Sequence, residues 1–434
     1  MQANSDSLTA PAAIVGFDWG QFRHAIAIQA QGQPIELVEF DHSPDKLLDW
    51  AQSLFERFGG AYVDIAIEAT RGAVVYCLMA FPWIRIFPIH PTTSSKQRTA
   101  FRPSGAKDDT HDAVVLLDIL RTQRNRIQQQ LLDNTATRLL AELTSERRKA
   151  VDLRSQLSNQ LTSVLRDYFP QALQLFGDNP TAPLALAFLT KWPTLIDIQA
   201  SSDTTIARFY TQHNVRSMPL VQSRIDQVRK SRCMTQDDAI VTARSLCVKG
   251  LIRLIKTLQD NIKRLDDKIH EVFDAHPDRG IFRELPGAGK ALAPRLVAAF
   301  GSERERYPDA ESAQKALGVA PVTESSGKSR RVHWRRGAPR FHRQTLVEWA
   351  GQTVMFSAWA KAYYEQKKGK GAGRHSALRS LAFKWIRIVW KCWKDRVCYS
   401  EKHYLAQLER RGSPIAKRAM EIAHEMGILE AKKT

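Results

Sequence analysis

Four acidic side chains in this sequence have the types and spacing to hold divalent metal. Asp18 closes the apolar run 13–17, Glu68 closes a second run, Val63–Ile67, and Asp109 and Asp112 stand three apart at the head of the apolar stretch 113–120. Residues three apart share a helix face, and neighbouring strand ends bring together carboxylates that lie far apart in sequence. Four such groups converging without a nearby cationic partner would repel strongly, and divalent metal resolves that repulsion. Two ions about 3.5–4 Å apart could activate a nucleophile and stabilise the leaving oxygen of a phosphodiester. Each residue alone has a plainer reading: an Asp after a strand is usually a turn residue, and Asp109 could serve only as an N-cap. The set carries more than its members because order, spacing and fold agree. Asp18-Trp19-Gly20 also looks like the phosphate loop of sugar kinases, but the second glycine-rich phosphate loop of that reading is missing.

A second group is a hydroxyl among cations. Thr323-Glu324-Ser325-Ser326-Gly327 is followed by Lys328, Arg330, Arg331, Arg335, Arg336, Arg340 and Arg343 with no acid among them. Such a serine could attack a phosphodiester while the cations stabilise transition-state charge. From the residues alone the favoured reading is instead a phosphate-gripping serine in a basic DNA-binding loop. Nine more basic residues, Lys384 and Arg387 among them, lie in 367–394, interleaved with the stripe Leu381, Trp385, Ile388 and Cys392. The stripe reads as core and the cations as phosphate contacts. Leu285-Pro286-Gly287-Ala288-Gly289-Lys290 is not a Walker loop, since Glu284 replaces its first glycine and Ala291 the Mg²⁺-binding hydroxyl. Its turn into a helix could still offer N–H groups to a phosphate.

The elements that must position these groups follow from periodicity. Runs 13–17, 25–29 and 35–40 predict three hairpin strands, Ser43-Pro44 opens a helix that Gly59-Gly60 ends, and 63–67 and 84–89 predict buried strands. That order is ribonuclease-H-like. Leu251, Ile255, Leu258, Ile262, Leu265, Ile269 and Val272 alternate steps of four and three, the seam of a coiled coil, and Leu143, Ala150, Leu157 and Val164 form a looser antiparallel partner. A long helix packed within its own domain is the alternative. Residues 170–243 are helical patterns broken by prolines, without visible chemistry. The expected division is a disordered tail 1–11, an acidic domain 12–126, a helical coiled-coil region 127–277, a serine-bearing domain of short helices and basic loops 278–404, and a solvated helix with a frayed end 405–434.

Composition narrows the partners. The 434 residues carry 64 Lys and Arg against 45 Asp and Glu, a net charge of +19, which points to nucleic acid. No eighteen-residue apolar run and no signal-peptide pattern exist, so a soluble cytoplasmic protein without a membrane partner is expected. Five cysteines without zinc-ligand spacing read as reduced core residues.

Asp18, Glu68, Lys107-Asp108-Asp109-Thr110-His111-Asp112-Ala113, Leu285 to Gly289, Gly318 to Pro321 and Ser325-Ser326-Gly327, in this order, resemble the DEDD transposases of insertion-sequence family one-hundred-and-ten. Piv-type invertases share the pattern. The resemblance covers roughly 12–126 and 276–400 and leaves the middle largely unmatched. It implies a RuvC-like domain joined by a coiled coil to a domain bearing a nucleophilic serine, and a non-coding bridge RNA that pairs with donor and target DNA. It further implies a covalent phosphoserine link, a Holliday-junction-like intermediate, and a dimer of dimers in which the RuvC site of one subunit meets the serine of another. On this chain the Mg²⁺ ligands and catalytic acids would be Asp18, Glu68, Asp109 and Asp112, and the nucleophile Ser326. Asp108 replaces the usual threonine and competes with Asp109, Ser325 competes with Ser326, and Arg336-Gly337-Ala338 stands where Lys/Arg-Gly-Asn is usual. The expected function is an RNA-guided DNA recombinase or transposase. Its rivals are a RuvC-like nuclease or junction resolvase that uses water, and a non-catalytic nucleic-acid-binding protein.

Overall fold

The computed structural model describes residues 9–101, 108–177, 179–327, 329–335 and 337–429. They form two compact units, one from residues up to 134 together with those from 300 onward, the other from 135–299.

The first unit opens with β1 (Ala13–Trp19), β2 (Arg23–Ala30), β3 (Glu36–Asp41), α1 (Pro44–Phe58), β4 (Val63–Ile67), α2 (Ala73–Met79), β5 (Ile84–Pro88), α3 (Pro91–Phe101) and α4 (Asp109–Gln123). Sheet order is β3-β2-β1-β4-β5, antiparallel from β3 to β1 and parallel from β1 to β5. This is the expected ribonuclease-H-like arrangement. Pleating gives the sheet two working faces. Ala13, Val15 and Phe17 pack with Leu47, Trp50 and Leu54 of α1 and Val75 and Leu78 of α2. On the opposite face Ala25 and Ala27 pack with Ala113 and Leu117 of α4, and their small size lets that helix lie close. Pro44 begins α1 and Gly59, at φ 59°, ends it, although the Ser43 side chain makes no capping bond.

The second unit contains α5 (Thr135–Tyr168), then α6 (Pro170–Phe176), α7 (Pro183–Lys191), α8 (Leu195–Gln199), α9 (Asp203–Gln212) and α10 (Met218–Lys230), then α11 (Asp238–Asp274), α12 (Arg279–Arg283) and most of α13 (Gly289–Phe300). The two long helices, α5 and α11, run antiparallel. Thr137 Oγ1 lies 2.8 Å from His276 Nε2, Arg147 pairs with Asp266, and Asp167 pairs with Arg244 at 2.8 Å. Leu251, Ile255, Ile262, Ile269 and Val272 of the seam are buried, as are Ala150 and Val164 opposite. At one end both helices join the core of α6 to α10, where Leu161, Leu165, Phe188, Trp192 and Ile255 meet. The seam and the packed-domain alternative therefore describe different stretches of the same helices.

The rest of the first unit is α14 (Ala310–Ala316), β6 (Pro321–Ser326), β7 (Ser329–Trp334), α15 (Arg340–Phe356), α16 (Ala358–Gly369), α17 (Arg374–Asp395), α18 (Glu401–Arg410) and α19 (Ala416–Glu425). Buried Trp349, Trp359 and Trp385 form its centre, with ring centroids 4.9 Å and 4.6 Å apart for the pairs Trp349–Trp385 and Trp359–Trp385. Three sequence expectations are corrected here. The serine segment is a β-hairpin and not a loop. α19 buries Ala419, Ile422 and Ala423 and packs on α16, so the C-terminal segment is not a solvated helix. Cys392 is buried but Cys398 is exposed, so the cysteines are not uniformly core. No helix among the described residues is long and apolar enough to cross a membrane.

Candidate functional site

Parallel pairing of β1 with β4 puts Phe17 opposite Ile67, so the next residues, Asp18 and Glu68, leave the same end of the sheet side by side. Adjacent strands lie about 4.8 Å apart. Gly16 brings the third acid. A Cβ built on it would lie 1.9 Å from the Ala113 carbonyl oxygen and 2.6 Å from the Leu117 nitrogen, so only glycine lets the α4 backbone touch β1 here. Asp112, next to Ala113, is thereby carried to the strand end that bears Asp18.

α3 fastens the group. Ser94 Oγ donates to Glu68 Oε1, and one turn later Arg98 pairs with Asp112. The hydrogen bond that Arg98 donates to Asp112 raises the Arg98 pKa, partial desolvation opposes the rise, and the charges of Asp112, Glu68 and Asp18 add to it. Three acids thus act on one guanidinium, the cationic partner that the sequence did not reveal. Its only signal was a serine and an arginine four apart, on one helix face. Asp109 begins α4, is exposed, and is not among the charges acting on Arg98. Asp108, its competitor, is the N-cap, accepting from the Thr110 nitrogen at 3.2 Å and the Thr110 hydroxyl at 2.7 Å. The capping role considered for Asp109 therefore falls to Asp108.

These donors fit Mg²⁺ in kind, since carboxylate oxygens are the hard ligands it takes. In the arrangement described, Arg98 meets part of their charge, and among the described residues no three His, Cys, Asp or Glu side chains converge closely enough to hold an ion.

The serine segment is built differently. In the β6–β7 ladder Ser325 faces Arg330 and Ser326 faces Ser329, with Gly327 at φ 53° in the turn. Lys328 and Arg336 lie outside the described residues. Directly opposed residues share a face, so Ser325, Arg330, Thr323 and Val332 point one way, and Ser326, Ser329, Glu324 and Arg331 the other. Both serines are exposed, and neither side chain hydrogen-bonds a carboxylate among the described residues. The base of the hairpin rests near the sheet domain: a Cβ on Gly337 would lie 3.1 Å from His90 Nε2, and His90 lines a cavity with Val322, Trp334 and Arg335. The tip extends about 13 Å beyond that base, four residues of strand. Arg340 is exposed at the start of α15, Arg343 follows one turn later, and Lys384 and Arg387 are exposed on α17.

Comparison with known proteins gives two family matches, one described as Transposase over residues 15–170 and one described as Transposase IS116/IS110/IS902 family over residues 279–365. The mini-circle putative transposase for IS117 of Streptomyces coelicolor is 26% identical over 420 residues, covering 93% of this chain and 98% of that protein. An uncharacterized 44.8 kDa protein of insertion element IS116 from Streptomyces clavuligerus is 24% identical, covering 88% and 94%. An uncharacterized 42 kDa protein of IS900 from Mycobacterium paratuberculosis is 22% identical, covering 88% and 96%.

Proposed function

We propose that this chain, which belongs to the IS116/IS110/IS902 family of insertion-sequence transposases, is an RNA-guided, Mg²⁺-dependent DNA recombinase that exchanges strands through a covalent phosphoserine. The observation that carries the reading is that Asp18 and Glu68 end neighbouring parallel strands of a ribonuclease-H-like sheet, with Asp112, on the helix packed against Gly16, paired to Arg98.

In the proposed step Ser326 Oγ bonds to the phosphorus of the scissile diester, the bond from phosphorus to a deoxyribose oxygen breaks, and the serine proton passes to that departing oxygen. Attack by a hydroxyl of a second strand reverses these changes and reseals the backbone, conserving the ester. Arg331, on the same hairpin face as Ser326, with Arg335 and Arg340 holds the phosphate and offsets the charge that grows on its oxygens. Asp18, Glu68 and Asp112, with Asp109, would hold Mg²⁺, which when bound neutralises their charge and acts as a Lewis acid toward a phosphate oxygen. That Asp108 is occupied as a cap supports Asp109 as the fourth ligand. The exposed serine, whose side chain hydrogen-bonds no carboxylate among the described residues, supports a composite site in which one subunit of a dimer of dimers offers acids and another offers serine. The net charge of +19 supports donor DNA, target DNA and a guide RNA as partners.

The same lack of a bond favours one rival, hydrolysis by water at the carboxylates alone. Protein, Mg²⁺, a transcript of the sequence flanking the gene, and donor and target DNA, resolved on a denaturing gel, distinguish them. The proposal expects a protein–DNA adduct that Ser326→Ala abolishes together with recombinant product, and loss of both with Asp18→Asn. Recombination by the Ser326→Ala protein would overturn the nucleophile, and cleavage by the Asp18→Asn protein would overturn the acidic site.

A further inference from the structure

A cleft of about 690 Å³ opens between the base of β6–β7 and the helices α15, α16 and α17. Its walls carry the cations Arg343, Lys367 and Arg379 and the rings Trp334, Tyr363 and Phe383, and no carboxylate. Trp334 is 50% exposed. The Arg343 guanidinium lies 4.7 Å from its ring centre and that of Arg379 5.8 Å. Arg343 is fixed there, donating to the Arg335 carbonyl at 2.9 Å. On the facing wall Lys367 stands 5.6 Å from the Tyr363 ring, and Lys384, outside the lining, stands 4.6 Å from the same ring. None of these four cations is ion-paired to a carboxylate among the described residues. Burial first, then the charges of Lys367 and Arg387, hold the Lys384 ammonium below its ordinary value, as expected where positive charge is crowded.

Gathering unpaired cations around a half-exposed indole works against the isolated protein, since the charges repel and the ring forgoes burial. A ligand that is flat and apolar at one end and anionic at the other relieves both strains. We propose that this cleft holds one unpaired nucleotide of a bound strand, its base stacked on Trp334 and its phosphates against Arg343, Arg379 and Lys367. The volume is within the range of small-ligand sites, about 300–1,000 Å³. A base inside a duplex has both faces covered by its neighbours, so the cleft selects a nucleotide that is extruded or single-stranded. Trp334 shares its hairpin face with Val332, Arg330 and Ser325. A strand seated in the cleft is thus led along that face toward the tip. DNA and RNA offer the same stacking and phosphate chemistry, so the strand's identity is left to experiment. The inference rests on the proposed function only in taking nucleic acid as the substrate, and needs neither Ser326 nor the carboxylates to be catalytic.

The test is fluorescence anisotropy of the full-length protein, without Mg²⁺, on labelled single-stranded DNA, single-stranded RNA and duplex DNA of one sequence. Trp334→Ala should weaken binding of a single strand about tenfold, in line with the loss of one stacked base, leave duplex binding within about twofold, and be rescued by Trp334→Phe. Arg379→Ala, at an exposed position that should not disturb folding, should weaken the same strand severalfold and flatten its salt dependence. A larger loss with DNA assigns the cleft to a substrate strand, and with RNA to a guide strand. Unchanged single-strand affinity, or equal loss for single strand and duplex, overturns the proposal. Failure of the strand-exchange chemistry alone leaves these affinities where they are, so the two readings fail separately.

Discussion

The carboxylate end of the sheet and the serine hairpin belong to one compact unit and are made on opposite principles. Asp18 and Glu68 extend from strands buried on both faces, and Asp112 is placed by a helix pressed against Gly16. The acids are a by-product of a core that would be needed without them. The ladder supports the hairpin along its length: five of six residues of β6 and five of six of β7 are exposed. The first group is preorganised by folding, while the second is presented and acquires its surroundings from what binds it. On the proposed function, a composite site divided this way would keep nucleophile and acids apart until a substrate bridges them.

The contrast is broken most directly by comparing chemistry with stability. Ser326→Ala and Asp18→Asn should each lower strand exchange a thousandfold or more, roughly 4 kcal/mol of transition-state stabilisation, while thermal melting moves by about 0.5 kcal/mol or less for the exposed serine. A large stability loss in Ser326→Ala would mean the hairpin is structural after all. Because Ser325 and Ser326 point to opposite faces, neither can stand in for the other. Ser325→Ala should retain activity within a few-fold, and the reverse ranking would transfer the nucleophile to Ser325. Gly16→Val should show the opposite profile, a stability loss of roughly 3 kcal/mol from overpacking against backbone, visible in denaturant melts whether or not DNA is present. Wild-type melting would show that α4 can move off β1. Arg98→Gln removes a cation that shares the three acids, so the Mg²⁺ concentration for half-maximal activity should fall roughly threefold, the scale of one partly exposed charge interaction. A rise would make Arg98 a phosphate contact instead.

A last effect concerns pH. Burial, with repulsion from Arg71 and Arg306, holds the His342 imidazole down to about 4, against an ordinary value of 6.5. The folded state therefore binds this proton less readily than the unfolded chain. Its contribution to stability is complete above pH 6.5 and declines as pH falls toward 4. Melting temperatures of the wild type should drop more between pH 7 and pH 5 than those of His342→Gln, and parallel curves would sink the assignment.

The preorganised region was largely legible in sequence and the presented one was not, for the same physical reason. Burial writes periodicity: the five strands of the sheet, the start and stop of α1 and the seam of α11 are runs of Val, Ile and Leu bounded by Gly and Pro. Asp18 and Glu68 could be placed because each closes such a run. The β6–β7 hairpin is exposed on both faces, so its Thr, Glu, Ser and Arg residues show no alternation and read as a loop. Only the Gly327-Lys328 pair hinted at a two-residue turn. Arg98 and Ser94 were missed because α3 is polar throughout and buries little, and their importance comes from the side chains they face. The Trp334 cleft was illegible too, since its cations come from three helices and its indole from a hairpin, whose mutual packing no local pattern specifies.

One more consequence attaches to the way the chain leaves and re-enters the first unit. Asp133 accepts from the Ser302 nitrogen at 2.7 Å and pairs with Arg306, and the Asn134 nitrogen donates to Ser302 Oγ at 2.8 Å, so the exit and return points of the 135–299 excursion are clasped together. During synthesis the sheet domain emerges long before its C-terminal complement, and uniting them means closing a very long loop. Loop-closure entropy grows only logarithmically with length, and the antiparallel pairing of α5 with α11, which sets Thr137 against His276, shortens the loop that the clasp must close. The excursion therefore behaves in folding as a clip, and matched deletions from α5 and α11 that preserve the seam should leave the clasp and everything it gathers unchanged.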